Sequence, residues 1–479
     1  MAIPTVAGAG IMGAREHARS MKVYLETMGC QMNRLDSELA AGQLRRAGHE
    51  LVADRKAADV VLYNTCSVRR HAEEKVYSRL GADSRRKSRH RPKLILGVLG
   101  CVAQKEGRDL RKRFPEVDIL CAPGRLADLV DLIDRAAGGA PGVALDPARD
   151  ACGPAEEIDA LDLARDPYQT TSPYQAYVRV AKGCDNFCSY CIVPFVRGRE
   201  RSRRPERIVQ EVRCLVEAGR SEITLLGQTV NRYRCSPAGG ESPTVRFSDL
   251  LERVSGVTGL RRLRFVTSHP VDFGDDVLEA MRDLPNVCEY IHVPPQSGSD
   301  AVLKRMNRGY TRRQYDDLID RARGIVPGVV LAGDFIVGFP GETDQDFQAT
   351  VDLVKKARYK NCFIFKYSPR PGTAADKKLL DNVPLQVKKK RNTELLAVQE
   401  RISDELSREF LGKEVKVLVE GLSKKPHLNR AERRDKPQLL GRTAGDWIVV
   451  FNGPESLTGQ FANVKITKTA PLTLFGELV

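Results

Sequence analysis

Two patterns of apolar and polar positions alternate along the first third of the chain. Short apolar runs are each followed by a longer stretch with the 3.6-residue apolar repeat of a helix. Such alternation is typical of a parallel sheet with helices on its faces, so residues 21–140 are predicted to form an α/β domain. The predicted strands are Val23–Thr27, Asp59–Asn64, Lys93–Leu99 and Val117–Leu120, and the predicted helices are Arg34–Ala47, Arg69–Leu80 and Leu126–Ala136.

The segments on either side of this domain lack the pattern. Residues 1–20 are weakly apolar and are expected to be a flexible leader. Residues 141–170 follow the Gly138-Gly139 pair and contain acidic Glu156 and Glu157. This composition predicts a linker.

The alternation of strands and helices restarts at Tyr177. Six strand–helix units within roughly 200 residues favour an open or partial (β/α)6 barrel over residues 171–411, rather than a flat sheet. A long charged helix over Leu385–Phe410 ends this domain. Its predicted strands are Tyr177–Ala181, Glu222–Leu226, Arg262–Val266, Cys288–Val293, Val329–Val337 and Asn361–Tyr367, with helices such as Pro205–Ala218 and Asp344–Ala357 between them.

The tail, residues 412–479, has a different character. Short β-type runs are separated by glycines, which predicts a small antiparallel β-barrel. The four predicted strands are Val415–Glu420, Leu439–Thr443, Trp447–Phe451 and Val464–Thr467.

The chain is strongly basic. Its 479 residues carry 77 Lys and Arg against 62 Asp and Glu, a formal net charge of +15. Such a length exceeds one typical domain. An excess of positive charge is typical of proteins that neutralise nucleic-acid phosphates, although a solvated basic surface has the same composition.

The cysteine content indicates a reducing compartment. Twelve cysteines in so long a chain do not form the framework of a small disulfide-rich protein. The first residues lack the features of a secretory signal, and no apolar run approaches the length of a membrane span. We therefore expect a cytoplasmic protein.

Three of the cysteines lie within one short stretch. Cys184, Cys188 and Cys191 have the spacing C-x3-C-x2-C, with no fourth ligand in the run. Structural zinc takes four protein ligands, and iron–sulfur cubanes usually take four thiolates. Three thiolates would leave one iron of a cubane open to another ligand. The alternatives are three unrelated cysteines, or zinc completed by a distant residue.

A second triplet is spread through the N-terminal domain. Cys30, Cys66 and Cys101 each follow a predicted strand. Because the carboxyl ends of parallel strands share one edge of a sheet, the three thiols could converge on one metal centre. Gly29 and Gly100 would let the backbone approach a bulky cluster closely. The alternative is that these are buried cysteines acting as small apolar residues.

Together these residues resemble the methylthiotransferases, radical S-adenosylmethionine (radical SAM) enzymes that insert a methylthio group. The resemblance covers nearly the whole chain from Met21 to Val479, and the tail is similar to the RNA-binding TRAM barrel of such enzymes. The matching segments are Glu26–Asn33, Asn64–Arg69, Gly100–Gln104, Gly183–Cys191, Val193–Gly198, Gln296–Ser299 and Asp334–Thr343.

The resemblance implies two [4Fe-4S] clusters and S-adenosylmethionine as cofactors. Cys184, Cys188 and Cys191 would hold the cluster that binds S-adenosylmethionine, and Cys30, Cys66 and Cys101 would hold an auxiliary cluster that carries the sulfur. Strand-end position and the family pattern together make four residues candidates for contacts with S-adenosylmethionine. These are Gly227, Gln228, Ile336 and Gly338.

Two groups of basic residues are candidates for contacts with RNA. Five arginines follow the cysteine loop within eight residues, and guanidinium forks suit phosphate, although surface solvation is the alternative. The second group lies in a loop of the tail, where a solvated charged loop is again the alternative. The two groups are Arg197, Arg199, Arg201, Arg203 and Arg204, and Lys424, Lys425, Arg433 and Arg434.

Within the family, the segments Leu226–Tyr233 and Val196–Glu200 look most like the branch that acts on tRNA. That branch converts N6-dimethylallyladenosine at position 37, in the anticodon loop, to its 2-methylthio derivative. The resemblance also implies an electron donor of flavodoxin or ferredoxin type, and we expect a monomer. Alternatives are methylthiolation of threonylcarbamoyladenosine in tRNA or of a ribosomal-protein aspartate, and a non-radical iron–sulfur protein that binds RNA.

Overall fold

The computed structural model describes residues 20–67, 70–146, 155–236, 243–423 and 437–479. It consists of a parallel sheet with helices, a central half-barrel and a closed C-terminal barrel. The predicted α/β fold class is thus confirmed. All but the last residue of the predicted leader lies outside the described residues. None of the helices in these ranges combines the length and the apolar composition needed to cross a membrane.

The N-terminal domain is built on a six-stranded parallel sheet of order β2-β1-β3-β4-β5-β6. Its central strands β3 and β4 are buried along their whole length, as expected when helices cover both faces of a parallel sheet. The elements are β1 (Lys22–Met28), α1 (Gln31–Arg46), β2 (Glu50–Leu51), β3 (Val60–Thr65), α2 (Arg70–His90), β4 (Ile95–Gly100), α3 (Cys101–Glu106), α4 (Arg108–Arg113), β5 (Ile119–Cys121), α5 (Leu129–Ala137) and β6 (Gly142–Ala144).

The segment predicted as a linker contains regular structure in its described part, so that prediction is wrong there. Strand β6 pairs with β5 at the edge of the sheet. A helix, α6 (Ala155–Leu163), then packs beside the central domain, where its Asp159 and Asp162 are buried against arginines. Two of the acidic residues of this segment thus have distant arginine partners.

The central domain is a half-barrel of six parallel strands. The six strands form two three-stranded sheets, with the orders β13-β10-β7 and β14-β15-β16. A parallel bridge between Leu263 and Val287 connects the two sheets. The elements are β7 (Gln175–Arg179), β8 (Ala181–Lys182), α7 (Val193–Val196), β9 (Arg201–Ser202), α8 (Pro205–Glu217), β10 (Glu222–Leu226), β11 (Arg234–Cys235), β12 (Val245–Arg246), α9 (Phe247–Ser255), β13 (Arg262–Val266), α10 (Asp275–Asp283), β14 (Tyr290–His292), α11 (Asp300–Arg305), α12 (Arg312–Ile325), β15 (Val330–Val337), α13 (Asp344–Ala357), β16 (Asn361–Lys366), α14 (Ala374–Lys378) and α15 (Leu385–Arg408).

The tail forms a closed five-stranded barrel of order β17-β18-β19-β21-β20. The prediction of antiparallel pairing is wrong for one pair, since β19 and β21 are parallel. A ring with an odd number of strands cannot alternate direction throughout, and the prediction missed the fifth strand. The strands are β17 (Glu414–Leu422), β18 (Gln438–Arg442), β19 (Ile448–Asn452), β20 (Phe461–Ala470) and β21 (Thr473–Leu478).

The tail barrel packs against the end of the half-barrel at which the strands begin. Arg264 in β13 donates hydrogen bonds to the carbonyls of Thr443 and Ala444. Lys360, just before β16, pairs with Asp446 at 2.8 Å. The opposite end, where the central strands finish, carries the cysteine loop.

Candidate active site at the carboxyl ends of the strands

The cysteine loop lies between β8 and α7. Cys184 and Cys188 are each only 8% exposed, and Cys191 is partly buried. Each of the three thiols lies within electrostatic range of the others. The predicted triplet is therefore brought together at the carboxyl end of the first barrel strand.

Close backbone contacts fix the shape of this loop. Gly183 has φ +77°, and a Cβ there would lie 1.9 Å from the carbonyl oxygen of Arg199. Only glycine therefore fits at this position. On the other side, the Ser189 N–H donates to the Met306 carbonyl at 2.9 Å, and Arg308 donates to Cys188 Sγ at 3.4 Å.

The electrostatics of the loop suit metal binding. Burial raises the pKa of Cys184, and burial followed by the nearby Cys188 raises the pKa of Cys191 to about 12. These groups stay protonated at neutral pH unless a cation stabilises their thiolates. Iron would supply that charge, and its binding would release the protons.

The second triplet lies at the carboxyl ends of three neighbouring strands. β1, β3 and β4 are adjacent in the sheet, and Cys30, Cys66 and Cys101 follow them. A Cβ at Gly29 would lie 2.7 Å from Cys66 Cβ, so the strand ends approach closely. Gly100 has φ +86°, and a Cβ there would lie 2.4 Å from Asn64 Oδ1. The convergence expected from strand order is confirmed, while the ligand role stays a prediction.

Two buried amides that sequence reasoning did not single out hold these strand ends together. Asn33 Nδ2 donates to Asn64 Oδ1 at 3.0 Å, and Asn64 Nδ2 donates to the Asn33 carbonyl at 2.9 Å. Asn64 also bonds to the Ser37 hydroxyl. An asparagine inside an otherwise apolar strand was the available signal, because buried polar groups require such partners.

Arg197, which follows the cysteine loop of the first triplet, reaches the second triplet. This arginine belongs to the central domain, yet it hydrogen-bonds to Asp36 of α1 at 2.9 Å and to the Cys101 thiol. Burial raises the pKa of Cys101, and the charge of Arg197 opposes that rise. The hydrogen bond from Cys66 lowers the pKa of Cys30, and Arg197 acts in the same direction.

The prediction that all five arginines of the run bind phosphate is wrong for two of them, Arg197 and Arg203. Arg197 is 2% exposed, and Arg203 is 1% exposed in ion pairs with Asp159, Asp162 and Glu211. Neither can reach RNA in this conformation. The other three arginines of the run are exposed or partly exposed and stay candidates for RNA contacts: Arg199, Arg201 and Arg204. The four candidates in the tail lie outside the described residues: Lys424, Lys425, Arg433 and Arg434.

The candidate residues for S-adenosylmethionine approach the cysteine loop from two sides. Gly227 and Gln228 lead directly to Thr229, whose Oγ1 lies 3.7 Å from Cys184 Sγ. Across the barrel, Ile336 packs against a small buried apolar cluster that includes Phe339, and Tyr190 of the cysteine loop packs against the same cluster.

Gly338 lies two residues beyond Ile336, at the end of β15. It has φ +70°, and a Cβ there would lie 2.3 Å from Lys388 Cγ. Its N–H already donates to Glu342 at 2.6 Å. The N–H of Gly338 is therefore already occupied by Glu342.

Each donor set fits an iron–sulfur cluster. Three cysteine thiols converge in each triplet, and thiolates are the usual ligands of a cubane, with each thiolate on a different iron.

Comparisons with known proteins agree with this arrangement. The uncharacterized protein family UPF0004 matches residues 22–122, the radical SAM superfamily matches residues 178–354, and the TRAM domain matches residues 408–479. The tRNA-2-methylthio-N6-dimethylallyladenosine synthase of Rhodopirellula baltica is 46% identical over 463 residues, covering 95% of each chain. The synthase of the same name from Moorella thermoacetica is 43% identical over 455 residues, covering 95% of this chain and 97% of its own. This chain belongs to that family.

Membership makes the chain a radical SAM enzyme, and this superfamily implies a [4Fe-4S] cluster and S-adenosylmethionine. A solved structure of the radical SAM methyltransferase TsrM from Kitasatospora setae, with cobalamin and a [4Fe-4S] cluster bound, has a TM-score of 0.52. It covers 75% of this chain and 74% of its own at 16% identity. That likeness shows the fold alone.

Proposed function

We propose that this enzyme inserts a methylthio group at C2 of N6-dimethylallyladenosine at position 37 of tRNA. The observation that carries the proposal is the packing of the second cysteine triplet against the segment that follows the first. Cys101 of the second triplet packs against Ile192, next to Cys191, and against Val196 of α7. One cluster site alone would suit many radical reactions, whereas a paired site suits sulfur insertion.

The residues fit two clusters. Cys184, Cys188 and Cys191 would hold the one that binds S-adenosylmethionine, and Cys30, Cys66 and Cys101 would hold the second. When bound, these groups supply one-electron chemistry that can break the unactivated C2–H bond of adenine, together with the sulfur and the methyl group.

The chain positions the two sites and keeps water from the contact between them. Cys101, Ile192 and Val196 form a buried apolar cluster at that contact. Arg308 fixes Cys188, and Arg197 fixes Cys101. A dry, rigid contact of this kind limits side reactions of reactive intermediates.

A basic surface where the tail barrel meets the half-barrel supports RNA as the partner. Arg261, just before β13, and Lys416 in β17 both lie over the Phe461 ring, with Arg261 Cζ and Lys416 Nζ 4.3 and 5.4 Å from its centroid. They line an open cavity of about 570 Å³ beside the TRAM barrel. Cations beside an aromatic ring suit a phosphate and a base of single-stranded RNA.

Three further predictions belong to this proposal. We propose a donor of flavodoxin or ferredoxin type, because the cluster chemistry requires single electrons from outside the chain. We propose a cytoplasmic location, since tRNA and reducing conditions are found there. A monomer stays the expected state.

The proposal is tested with purified, anaerobically reconstituted enzyme, S-adenosylmethionine, dithionite and an anticodon stem-loop RNA. We expect mass spectrometry to detect 2-methylthio-N6-dimethylallyladenosine only in RNA that carries the dimethylallyl group. Product on threonylcarbamoyladenosine RNA or on a ribosomal-protein peptide instead would establish one of the alternatives. Release of no 5′-deoxyadenosine from the intact protein would favour the non-radical alternative.

A further inference from the structure

Two stacked phenylalanines lie on the inner face of the half-barrel, at its open edge. Phe363 and Phe365 in β16 are 50% and 41% exposed. Their ring centroids are 6.4 Å apart and their planes differ by 16°. Large exposed apolar side chains in adjacent positions mark contact surfaces.

The direction of these rings follows from the alternation of side chains along the strand. Cys362 and Ile364, the intervening residues, pack into the main core beneath the outer helices. Phe363 and Phe365 must therefore point to the concave side. Among the described strands β16 pairs only with β15, so it forms the edge of the half-barrel.

The neighbouring strand connects these rings to the cysteine loop. Phe365 lies opposite Ile336 in β15, and Ile336 packs on the same buried residues as Tyr190 of the loop. Phe363 lies opposite Asp334, whose carboxylate is 3.2 Å from His292 Nε2. The patch thus combines two flat apolar rings with a hydrogen-bond acceptor, one strand away from the reaction centre.

We infer that Phe365 and Phe363 form the platform on which the target nucleobase and its apolar N6 substituent rest, with Asp334 accepting a hydrogen bond from the N6–H. This inference rests on the proposed function and deepens it by naming the subsite that reads the dimethylallyl group. An adenine ring offers a π-face to Phe365, and a branched five-carbon group offers apolar surface to Phe363. A free amino group at N6 would leave part of the apolar rings in water.

The test measures binding of two anticodon stem-loop RNAs that differ only in adenosine or N6-dimethylallyladenosine at the target position. Fluorescence anisotropy gives the Kd of each RNA for the reconstituted enzyme, for Phe365→Ala and for Phe365→Leu. Tyr168→Ala is the matched control, because it removes an exposed aromatic ring elsewhere. Circular dichroism and Tm establish that each variant is folded.

We expect wild type and Tyr168→Ala to bind the dimethylallyl RNA more tightly, and Phe365→Ala to weaken that binding roughly tenfold. Phe365→Leu should lose most of the stacking on the adenine ring, while its leucine side chain keeps an apolar group of similar size at this position. A folded Phe365→Ala variant that binds the dimethylallyl RNA as tightly as wild type would overturn the inference, as would a wild type that binds the two RNAs equally. Product formation by wild type, followed by mass spectrometry, reports separately on the proposed function.

Discussion

Arg197 and Asp36 form a buried ion pair across the boundary between the N-terminal domain and the half-barrel. Arg197 Nη2 lies 2.9 Å from Asp36 Oδ2, and the side chains are 2% and 1% exposed. Arg179 also approaches Asp36, at 3.4 Å. Since Arg197 follows the cysteine loop and Asp36 lies on the helix that begins after Cys30, this pair fixes the two cysteine triplets relative to each other.

We predict that Arg197→Ala strongly destabilises the contact between the domains. Among the described residues, Arg179 is then the remaining ion-pair partner of the buried Asp36 carboxylate. Breaking a buried pair costs about 3 kcal/mol or more. Urea unfolding measures the loss, with the exposed Arg358–Glu405 pair as the matched control. A loss in Arg197→Ala no larger than in Arg358→Ala would contradict the structural role assigned to this pair.

The local sequence pattern was sufficient to predict many strands and helices of the half-barrel. The predicted ranges Glu222–Leu226, Arg262–Val266 and Asp344–Ala357 coincide with β10, β13 and α13. Helix α13 begins where Thr343 and Asp346 form a capping box, a signal contained in four residues. Strand order likewise follows from the alternation of strands and helices, which is why Cys30, Cys66 and Cys101 could be expected at one sheet edge.

The partners of buried charges could not be predicted in this way. Arg203 belongs to a run that favours phosphate binding, yet its carboxylate partners Asp159 and Asp162 come from a segment predicted as a linker. Periodicity reports which face of an element is buried, and it carries no information on which distant element covers that face. The Asn33–Asn64 pair was missed for the same reason.

Iron content tests the two cluster sites separately. We expect about eight irons per chain in anaerobically prepared wild type, and about four after Cys30, Cys66 and Cys101 are all replaced by Ala. Cys121→Ala is the matched control, because Cys121 is also a buried cysteine at a strand end but hydrogen-bonds to the Arg125 carbonyl at 3.2 Å. About four irons in wild type, unchanged in the triple variant, would refute the second site.

The pH dependence of stability should report on Glu200. This residue lines a cavity of about 320 Å³ with Asp185, Arg232 and Asp272. Burial raises the pKa of Glu200 from 4.5 to about 7 against the favourable charge of Arg232, and Asp185 adds to the rise. Among the described residues, its Oε2 has no hydrogen-bond partner.

The sign of this effect follows from linkage. Between the unfolded pKa of 4.5 and the folded pKa of about 7, the folded state holds a proton that the unfolded state has lost. Stability therefore falls as pH rises through this window, and the loss is complete above it. Urea unfolding at about pH 5 and about pH 8 should show a smaller loss in Glu200→Gln than in wild type. Equal losses would show that Glu200 does not titrate in this range.

Docking of the tail barrel should depend on Arg264. Its guanidinium donates to the Thr443 and Ala444 carbonyls and pairs with Glu222 at 3.2 Å. Arg264→Ala removes these charge-assisted bonds, so we expect hydrogen exchange of the Thr443 and Trp447 amides to accelerate about tenfold or more. Arg253→Ala removes an exposed arginine with an exposed partner and serves as the control. Unchanged exchange in Arg264→Ala would contradict the docking described above.

The central claim is that paired cysteine triplets direct sulfur insertion into tRNA. Liquid chromatography with mass spectrometry of tRNA nucleosides tests it most directly, in a strain that lacks this gene and is complemented with wild type or with Cys66→Ala. We predict that 2-methylthio-N6-dimethylallyladenosine disappears on deletion, returns with wild type and does not return with Cys66→Ala, while N6-dimethylallyladenosine accumulates. Unchanged methylthioadenosine levels in the deletion strain would contradict the account.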